Sequence, residues 1–312
     1  MNKQLAKGSA TDNFRVSVII GTKDRPESLR RCLESVAAQR CRPEEVLLLD
    51  DGTAGAASLG EVLEGAGIRW RYIQKKGPGL SRSRNLGAGE AAGEILLFLD
   101  DDVVLDPGYL EEILRVYRAH PAAAGVGGRL EGIFYSPLVM SFLRFFALDS
   151  KRREGEILTS GIGVLIRTIT ADRPVEWLSG CNMSFRRQVF DEFHFDEGFG
   201  PKGWGDDMDF SYRVSRKYPL MAAHRACLVH RVDPAGRADP RSLGYMESFY
   251  PSRFFRKNMP KRFIHLVAFG WSTLGILLKK VLRLDPIRIV GNLGGIWAIL
   301  KKDPEGKGPT SS

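Results

Sequence analysis

Three consecutive aspartates, Asp100, Asp101 and Asp102, stand in the stretch FLDDDVVLDPGYL at residues 98–110, directly after a short apolar run. Three carboxylates crowded at the mouth of a buried strand repel one another, and one is forced to take up a proton unless a cation sits among them. A divalent ion resolves that conflict. Oxygen ligands of this kind suit Mg²⁺ or Mn²⁺, which keep coordination positions open for water and for a substrate diphosphate. An isolated aspartate triplet is more often an exposed loop than a metal site; its position after a strand favours the metal reading.

A second acidic group, Asp206, Asp207 and Asp209, lies in GWGDDMDFSYRV at 203–214. A carboxylate within hydrogen-bond reach of an attacking hydroxyl can take its proton as a bond forms. The same residues suit the first turn of a helix, where acidic side chains satisfy free N–H groups and complement the dipole.

The elements that must position these groups follow from hydrophobic patterning. VSVII at 16–20, the segment 46–49 ending in Asp50, Asp51 and Gly52, a strand near 69–73, and 95–99 ending in the triplet read as buried strands. Helix patterns separate them: one opened by Pro26 with Leu29, Cys32, Leu33 and Val36 on one face, one around 58–64, and one from about 80 to 92. This alternation predicts an α/β doubly wound sheet, with ligands at the carboxyl ends of its strands. A strand-like WLSGCNMSF at 177–185 and a helix at about 207–217 follow. The aromatic segment 133–148 (IFYSPLVMSFLRFFAL) is compatible with a core helix, an acceptor wall or a membrane-touching surface.

With 312 residues and 43% apolar content the chain can bury a substantial core, and 27% charged residues argue against an integral membrane protein or a disordered one. The net charge of +9 is not spread evenly. From Arg241 onward there are 13 Lys and Arg against 4 Asp and Glu, which leaves 33 of each sign in the first 240 residues. A neutral body with a basic tail argues against a nucleic-acid groove in the body and for a tail that meets an anionic surface.

That tail holds two uncharged runs, FIHLVAFGWSTLGILL at 263–278 and IVGNLGGIWAIL at 289–300. A spanning helix needs about 20 apolar residues, so the first is short, and glycines weaken the second. Two interfacial or shallowly inserted helices are expected, with Arg262, Lys279, Lys280, Arg283, Arg288, Lys301 and Lys302 reaching anionic headgroups from 262–302. Packing of these helices on the body is the alternative. The four cysteines, at 32, 41, 181 and 227, show no zinc spacing and are expected as free thiols; the polar N-terminus resembles no secretory signal. The expected location is the cytoplasmic side of a membrane.

The segments VSVIIGTKDRPESLRRCLESV, VLLLDDGT and GLSRSRNLGAGEAAGEILLFLDDDVVLDPGYL, followed by EWLSGCNMSFRR and GWGDDMDFSYRV, resemble family 2 glycosyltransferases of the GT-A fold over about residues 14–260. The resemblance implies inverting transfer of a sugar from a nucleoside-diphosphate donor to the hydroxyl of a glycan or lipid-linked acceptor, with Mg²⁺ or Mn²⁺ as cofactor and no nucleic-acid partner. It implies a catalytic domain at 14–244 with a nucleotide-sugar half (14–128) and an acceptor half (129–244); composition adds a flexible N-terminus at 1–13 and a membrane-associating region at 245–312. Carried over by position, Asp51 binds the base, with Thr22, Asp24 and Arg25 lining its pocket and Arg84 near the base or diphosphate. Asp100 and Asp102 form the D-x-D pair, Asp102 as direct metal ligand, with Asp101 near ribose or sugar. His230, in CLVHRVD, matches a histidine that completes the metal site in many relatives; a structural histidine is the other reading. Asp207 matches the base, with Asp206 as its acidic neighbour. The family has Glu at the first of these positions, so Asp206 and Asp209 also stay open for the role. Gly180 lets the chain pass close to the donor sugar, and Trp204 either stacks on the acceptor or is a structural tryptophan. Arg253, Arg256 and Lys257 can clamp a phosphate or belong to the basic tail. A nucleotidyltransferase and a non-catalytic nucleotide-sugar binder are the competing functions. The first calls for a glycine-rich, triphosphate-holding loop where this chain has GTKDRP.

Overall fold

Val16, Val18 and Ile20 of β1 (Val16–Thr22) pack into one apolar cluster and Ile19 into another, because successive side chains of a strand face opposite ways. Both faces are covered, which is why the run lacks polar alternation. The computed structural model describes residues 14–52, 56–75, 77, 79–233 and 238–301. The segment 1–13, expected as a flexible arm, and Lys302 lie outside them.

After β1 come α1 (Pro26–Ala37), β2 (Glu45–Asp50), a 3₁₀ turn (Ala56–Gly60) leading into α2 (Glu61–Gly65), β3 (Arg69–Gln74), α3 (Leu80–Glu90) and β4 (Ile95–Asp100). Next are β5 (Val103–Leu105), α4 (Tyr109–Ala119), β6 (Gly125–Glu131), α5 (Pro137–Phe145), β7 (Arg173–Val175) and β8 (Asn182–Arg186). The chain continues through α6 (Asp206–Ser215), β9 (Leu220–His230), α7 (Pro240–Asn258), α8 (Phe263–Leu282) and α9 (Pro286–Leu300). One sheet has the order β3-β2-β1-β4-β8-β6-β9-β5, with β7 also paired to β9. Strands β3, β2, β1 and β4 run parallel, and β8 joins antiparallel to β4. The open carboxyl ends of β1, β2 and β4 therefore lie side by side, where ligands of such sheets bind.

Helices cover both faces. Leu29, Leu33 and Val36 of α1 and Leu110, Ile113 and Leu114 of α4 pack on one; Ala88 of α3 and Phe210 and Val214 of α6 pack on the other. Leu33 is fully buried, so Leu33→Ala is expected to cost about 2–5 kcal/mol.

Several elements differ from the sequence reading. The strand expected at 177–185 begins only at Asn182, because the chain before it bends to bring Gly180 against Arg84. Helix α4 is an element that the strand-and-helix reading does not contain, although Leu110, Ile113, Leu114 and Tyr117 recur at helical spacing and are all buried. The 133–148 segment is not a core helix: Phe134, Leu138 and Phe145 are largely exposed, and only Leu143 and Phe146 are buried among its large apolar side chains. No break falls at residue 245, which lies inside α7. That helix starts at Pro240, capped by the Asp239 carboxylate, and buries Tyr245, Phe249 and Phe254 against Trp177 and Phe199.

The glycines that weaken 289–300 as a span have another role. A Cβ on Gly291 would lie 2.0 Å from the Arg241 carbonyl oxygen, and one on Gly244 would lie 2.2 Å from that of Arg288. Helices α7 and α9 thus meet backbone to backbone. The buried Asn292 side chain donates to the Gly244 carbonyl at 2.7 Å and to Ser248 Oγ at 2.9 Å, locking the crossing.

Candidate active site

A cavity of about 520 Å³ opens at the carboxyl ends of β1, β2 and β4, lined there by Gly21, Thr22, Asp51, Asp100, Asp102 and Trp204. Sheet register delivers a further residue to its edge. Antiparallel pairing of β5 with β9 sets Val103 opposite His230, which swings the imidazole beside the aspartates at the end of β4. One ligand atom each from Asp100, Asp102 and His230 lie within 4.8 Å of one another.

Asp102 is nearly buried. Its Oδ2 accepts from the Asp233 N–H at 3.1 Å and from Arg25 Nη1 at 3.2 Å. Its Oδ1 lies 2.9 Å from His230 Nε2, yet this buried oxygen accepts no well-directed hydrogen bond. Burial alone would push the Asp102 carboxyl up; His230, the Asp233 N–H and Arg25 outweigh it and hold it below the ordinary value. For His230, burial disfavours the charged ring, but Asp102, Cys181 and Asp100 raise it to about 11. Two carboxylates, an imidazole and one buried oxygen without a directed donor form a donor set that fits a hard or borderline divalent cation.

The middle aspartate faces elsewhere. Asp101 is fully buried; Thr22 Oγ1 donates to its Oδ2 at 2.7 Å, and Arg25 Nη2 meets its Oδ1 at 2.6 Å. Burial pushes its carboxyl up to about 7 against the pull of Arg25 and Thr22. The expected place beside ribose or sugar is therefore corrected: Asp101 turns inward and clamps Thr22 and Arg25, while Asp100 and Asp102 face the cavity.

Arg84 is buried rather than lining the cavity. Its Nη1 meets Asp206 Oδ1 at 2.5 Å, and its Nη2 reaches the Gly180 carbonyl at 3.1 Å and Asp100 Oδ1 at 3.4 Å. A Cβ on Gly180 would lie 2.5 Å from Arg84 Nη2, so the close approach that requires glycine here is to this guanidinium. Asp206 spends both oxygens on structure, since Ser81 Oγ also donates to its Oδ2 at 2.8 Å. Asp209 is likewise committed, to Arg213, Lys257 and Asn258.

Asp207, half-buried at the start of α6, accepts from the Gly180 N–H at 2.6 Å and from the Met208 N–H at 2.8 Å. These bonds fix the carboxylate and leave lone pairs on both oxygens. Burial and the neighbouring Asp206 push its carboxyl up to about 6, against Arg84 and the two N–H donors. Gly205 precedes it with φ of 87°, a left-handed conformation that favours glycine and accounts for the last residue of Gly-Trp-Gly. Trp204 itself is 38% exposed on the cavity wall.

Asp51 accepts from the Gly79 N–H at 3.1 Å and pairs with Lys75 Nζ at 2.7 Å. Lys75 is a site residue that sequence reading missed; its signal is its position at the carboxyl end of β3, next to the one that holds Asp51. Asp24 adopts φ of 51° against Gly52, where a Cβ would meet Asp24 Oδ1 at 2.6 Å. Arg253 and Lys257, considered as a phosphate clamp, both pair with Asp196, at 3.3 and 2.7 Å. The cavity instead extends to Leu243 and Met246 of α7 and to Glu247 and Arg288, which the sequence did not connect with the site.

Comparison with known proteins agrees with this arrangement. A putative glycosyltransferase of Bacillus subtilis, EpsH, is 32% identical over 101 residues, 32% of this chain and 29% of that protein. A glucosyl-dolichyl phosphate glucuronosyltransferase of Haloferax volcanii is 29% identical over 200 residues, 61% of this chain and 58% of that protein. The matches thus span less than two thirds of either relative. Among solved structures, a mannosyltransferase from Pyrobaculum calidifontis in complex with GDP-Man and Mn²⁺ superposes with a TM-score of 0.57 at 15% identity, covering 92% of this chain and 81% of that one. The fold is that of the GT-A glycosyltransferases. The family model for glycosyl transferase family 2 matches residues 17–193, more than half of the chain, and the chain belongs to that family.

Proposed function

We propose that this chain is a metal-dependent, inverting glycosyltransferase that moves a sugar from a nucleoside-diphosphate donor to an acceptor hydroxyl in the synthesis of a cell-surface or lipid-linked glycan. The observation that carries this reading is the grouping of Asp51 and the Asp100–Asp102–His230 cluster about the carboxyl ends of β2 and β4, with Asp207 tied to it through Gly180 and Arg84. Asp51, oriented by Lys75, is suited to accept hydrogen bonds from a base. Asp100, Asp102 and His230 would hold Mg²⁺ or Mn²⁺, and the neighbour with Mn²⁺ bound supports that assignment. When bound, such an ion supplies stabilisation of negative charge on a departing diphosphate.

Asp207 takes the acceptor's proton as the hydroxyl oxygen bonds to the anomeric carbon. The bond from that carbon to the diphosphate breaks on the opposite side, and the nucleoside diphosphate leaves with the electron pair. A carboxyl titrating near 6 is ionised at neutral pH while keeping some basicity, the compromise expected of a general base. Arg84 ties Asp100, Gly180 and Asp206 together and so positions the metal side against the base side.

Membrane attachment is part of the proposal. Helix α8 has 20 residues and is apolar and long enough to span a bilayer. Its middle, however, is bound to the body: Trp271 stacks on Phe146 and donates to the Phe145 carbonyl at 2.6 Å, and Gly275 packs on Phe146. Helix α9 then returns to α7. A helix fastened at its middle favours lying in the interface, apolar side toward lipid and Arg262 and Arg283 toward headgroups. The cytoplasmic face is the side we assign.

The test is to incubate the purified chain with Mn²⁺ or Mg²⁺ and a panel of nucleotide sugars, scoring nucleoside diphosphate release. Release with one donor, lost in Asp102→Ala and Asp207→Ala, is expected; pyrophosphate formation from a sugar phosphate and a nucleoside triphosphate would overturn the reading.

A further inference from the structure

The cavity does not stop at the nucleotide side. Val232, Ala238, Leu243, Met246 and Arg288 also line it, so helices α7 and α9 border the same cavity as the D-x-D aspartates. Leu243 and Met246 make that border apolar. Arg288 makes it cationic at one point, and its guanidinium is loosely held: 3.6 Å from Glu247 and 3.4 Å from Asp285, with a buried Nε that has no hydrogen-bond partner. Glu247 is more closely engaged by the buried Lys280, at 2.8 Å. That pairing offsets the Glu247 charge, so an incoming anion competes for Arg288 chiefly with Asp285. The residues flanking Arg288 on α9, Ile287 and Val290, are more than half exposed, as are Leu293 and Trp297 further along.

The geometry points to an acceptor subsite for a phosphate-bearing lipid: Arg288 takes the phosphate, Leu243 and Met246 contact the first carbons of the chain, and the remainder leaves along the exposed apolar side of α9. This deepens the glycosyltransferase reading and rests on it. The apolar C-terminal helices are then not only an anchor but one wall of the site. The cavity as a whole is not cationic, since Asp51, Asp100, Asp102, Asp233 and Glu247 line it beside Lys23, Arg25 and Lys202, so the anion is held at Arg288 itself. An apolar wall bearing one weakly held guanidinium, continuous with an exposed apolar helix, matches an amphiphile with an anionic head.

Binding of geranylgeranyl phosphate, carried in phosphatidylcholine vesicles, should be measured against geranylgeraniol in the same vesicles and against inorganic phosphate in solution. The full chain is used, with nucleoside diphosphate and Mn²⁺ binding measured in parallel. The lipid phosphate should bind about tenfold or more tightly than either control, Arg288→Gln should remove that advantage, and Arg288→Lys should restore part of it. Nucleotide binding should be unchanged in both variants. Equal binding of the alcohol and the phosphate, equal binding of inorganic phosphate alone, or an unaltered preference in Arg288→Gln overturns the subsite. Failure of nucleotide and Mn²⁺ binding in the wild-type chain would instead overturn the glycosyltransferase reading, so the two outcomes are separable.

Discussion

Arg84 and Asp206 form a buried ion pair at 2.5 Å that joins α3, on the nucleotide side of the sheet, to the first turn of α6. The two neighbouring aspartates of α6 therefore have different duties. Removing one partner of a buried pair leaves an uncompensated charge, so Asp206→Ala should lower the unfolding free energy by about 3–5 kcal/mol. Asp207→Asn keeps shape and hydrogen-bond acceptance toward Gly180 but turns its amide NH2 toward the Met208 N–H, and should cost about 1–2 kcal/mol while reducing transfer by about 10²–10⁴-fold. Denaturant titration beside a turnover assay distinguishes them; an Asp206→Ala variant as stable as the wild type would contradict the pairing.

The elevated Asp207 carboxyl sets a pH dependence. The working form is the carboxylate, and its pKa is pushed up to about 6 by burial and Asp206. Turnover at saturating substrate should then rise with pH through that region and level off above it. Asp207→Asn should flatten that acid limb in its residual activity. An acid limb that persists in the variant would assign it to another group.

Asp102 and His230 predict coupling between metal and protons. Their 2.9 Å contact holds the imidazole protonated, its pKa raised to about 11, whereas a ligating imidazole must be neutral. Mn²⁺ uptake near neutral pH should release about one proton through His230, and affinity should climb with pH. Calorimetry in buffers of different ionisation enthalpy reads the proton count. His230→Gln should bind Mn²⁺ more weakly and release fewer protons; unchanged proton release would remove His230 from the ligand set.

Strands β1, β2 and β4 were legible in the sequence because burial on both faces leaves an uninterrupted apolar run, and their acidic ends mark the cavity. The split of labour within the aspartate triplet was not. Which side of a turn a residue faces depends on partners such as Thr22 and Arg25, brought in from another strand end. Gly180 reads in the sequence as a close approach to a donor sugar, whereas the group that lies against it is Arg84, 96 residues away in sequence. The glycines of α9 looked like defects in a membrane segment; only the backbone of α7 lying against them explains them. Glu247 carries no signal in the sequence and Arg288 reads there only as a headgroup contact for the same reason, since their link to the site exists only once α9 has folded back.

Membrane docking through α8 requires a test that spares the fold. Truncation after Arg262 would also remove α9 and expose the backbone-to-backbone seam on α7, so loss of binding could reflect unfolding. Phe263 and Leu266 are better probes, because they are 81% and 52% exposed and contribute little to the packed interior. Burial of a Phe or Leu side chain is worth roughly 1.5–3 kcal/mol, so Phe263→Glu with Leu266→Glu should weaken association with phosphatidylglycerol-containing vesicles by more than about tenfold. Thermal unfolding in solution should stay near that of the wild type. Residual binding of wild-type chain should also fall with added salt, since the surrounding cations meet anionic headgroups. Undiminished sedimentation of the double variant with vesicles would exclude α8 as the lipid-facing surface and leave α5, with Phe134 and Leu138 exposed, as the face to alter next.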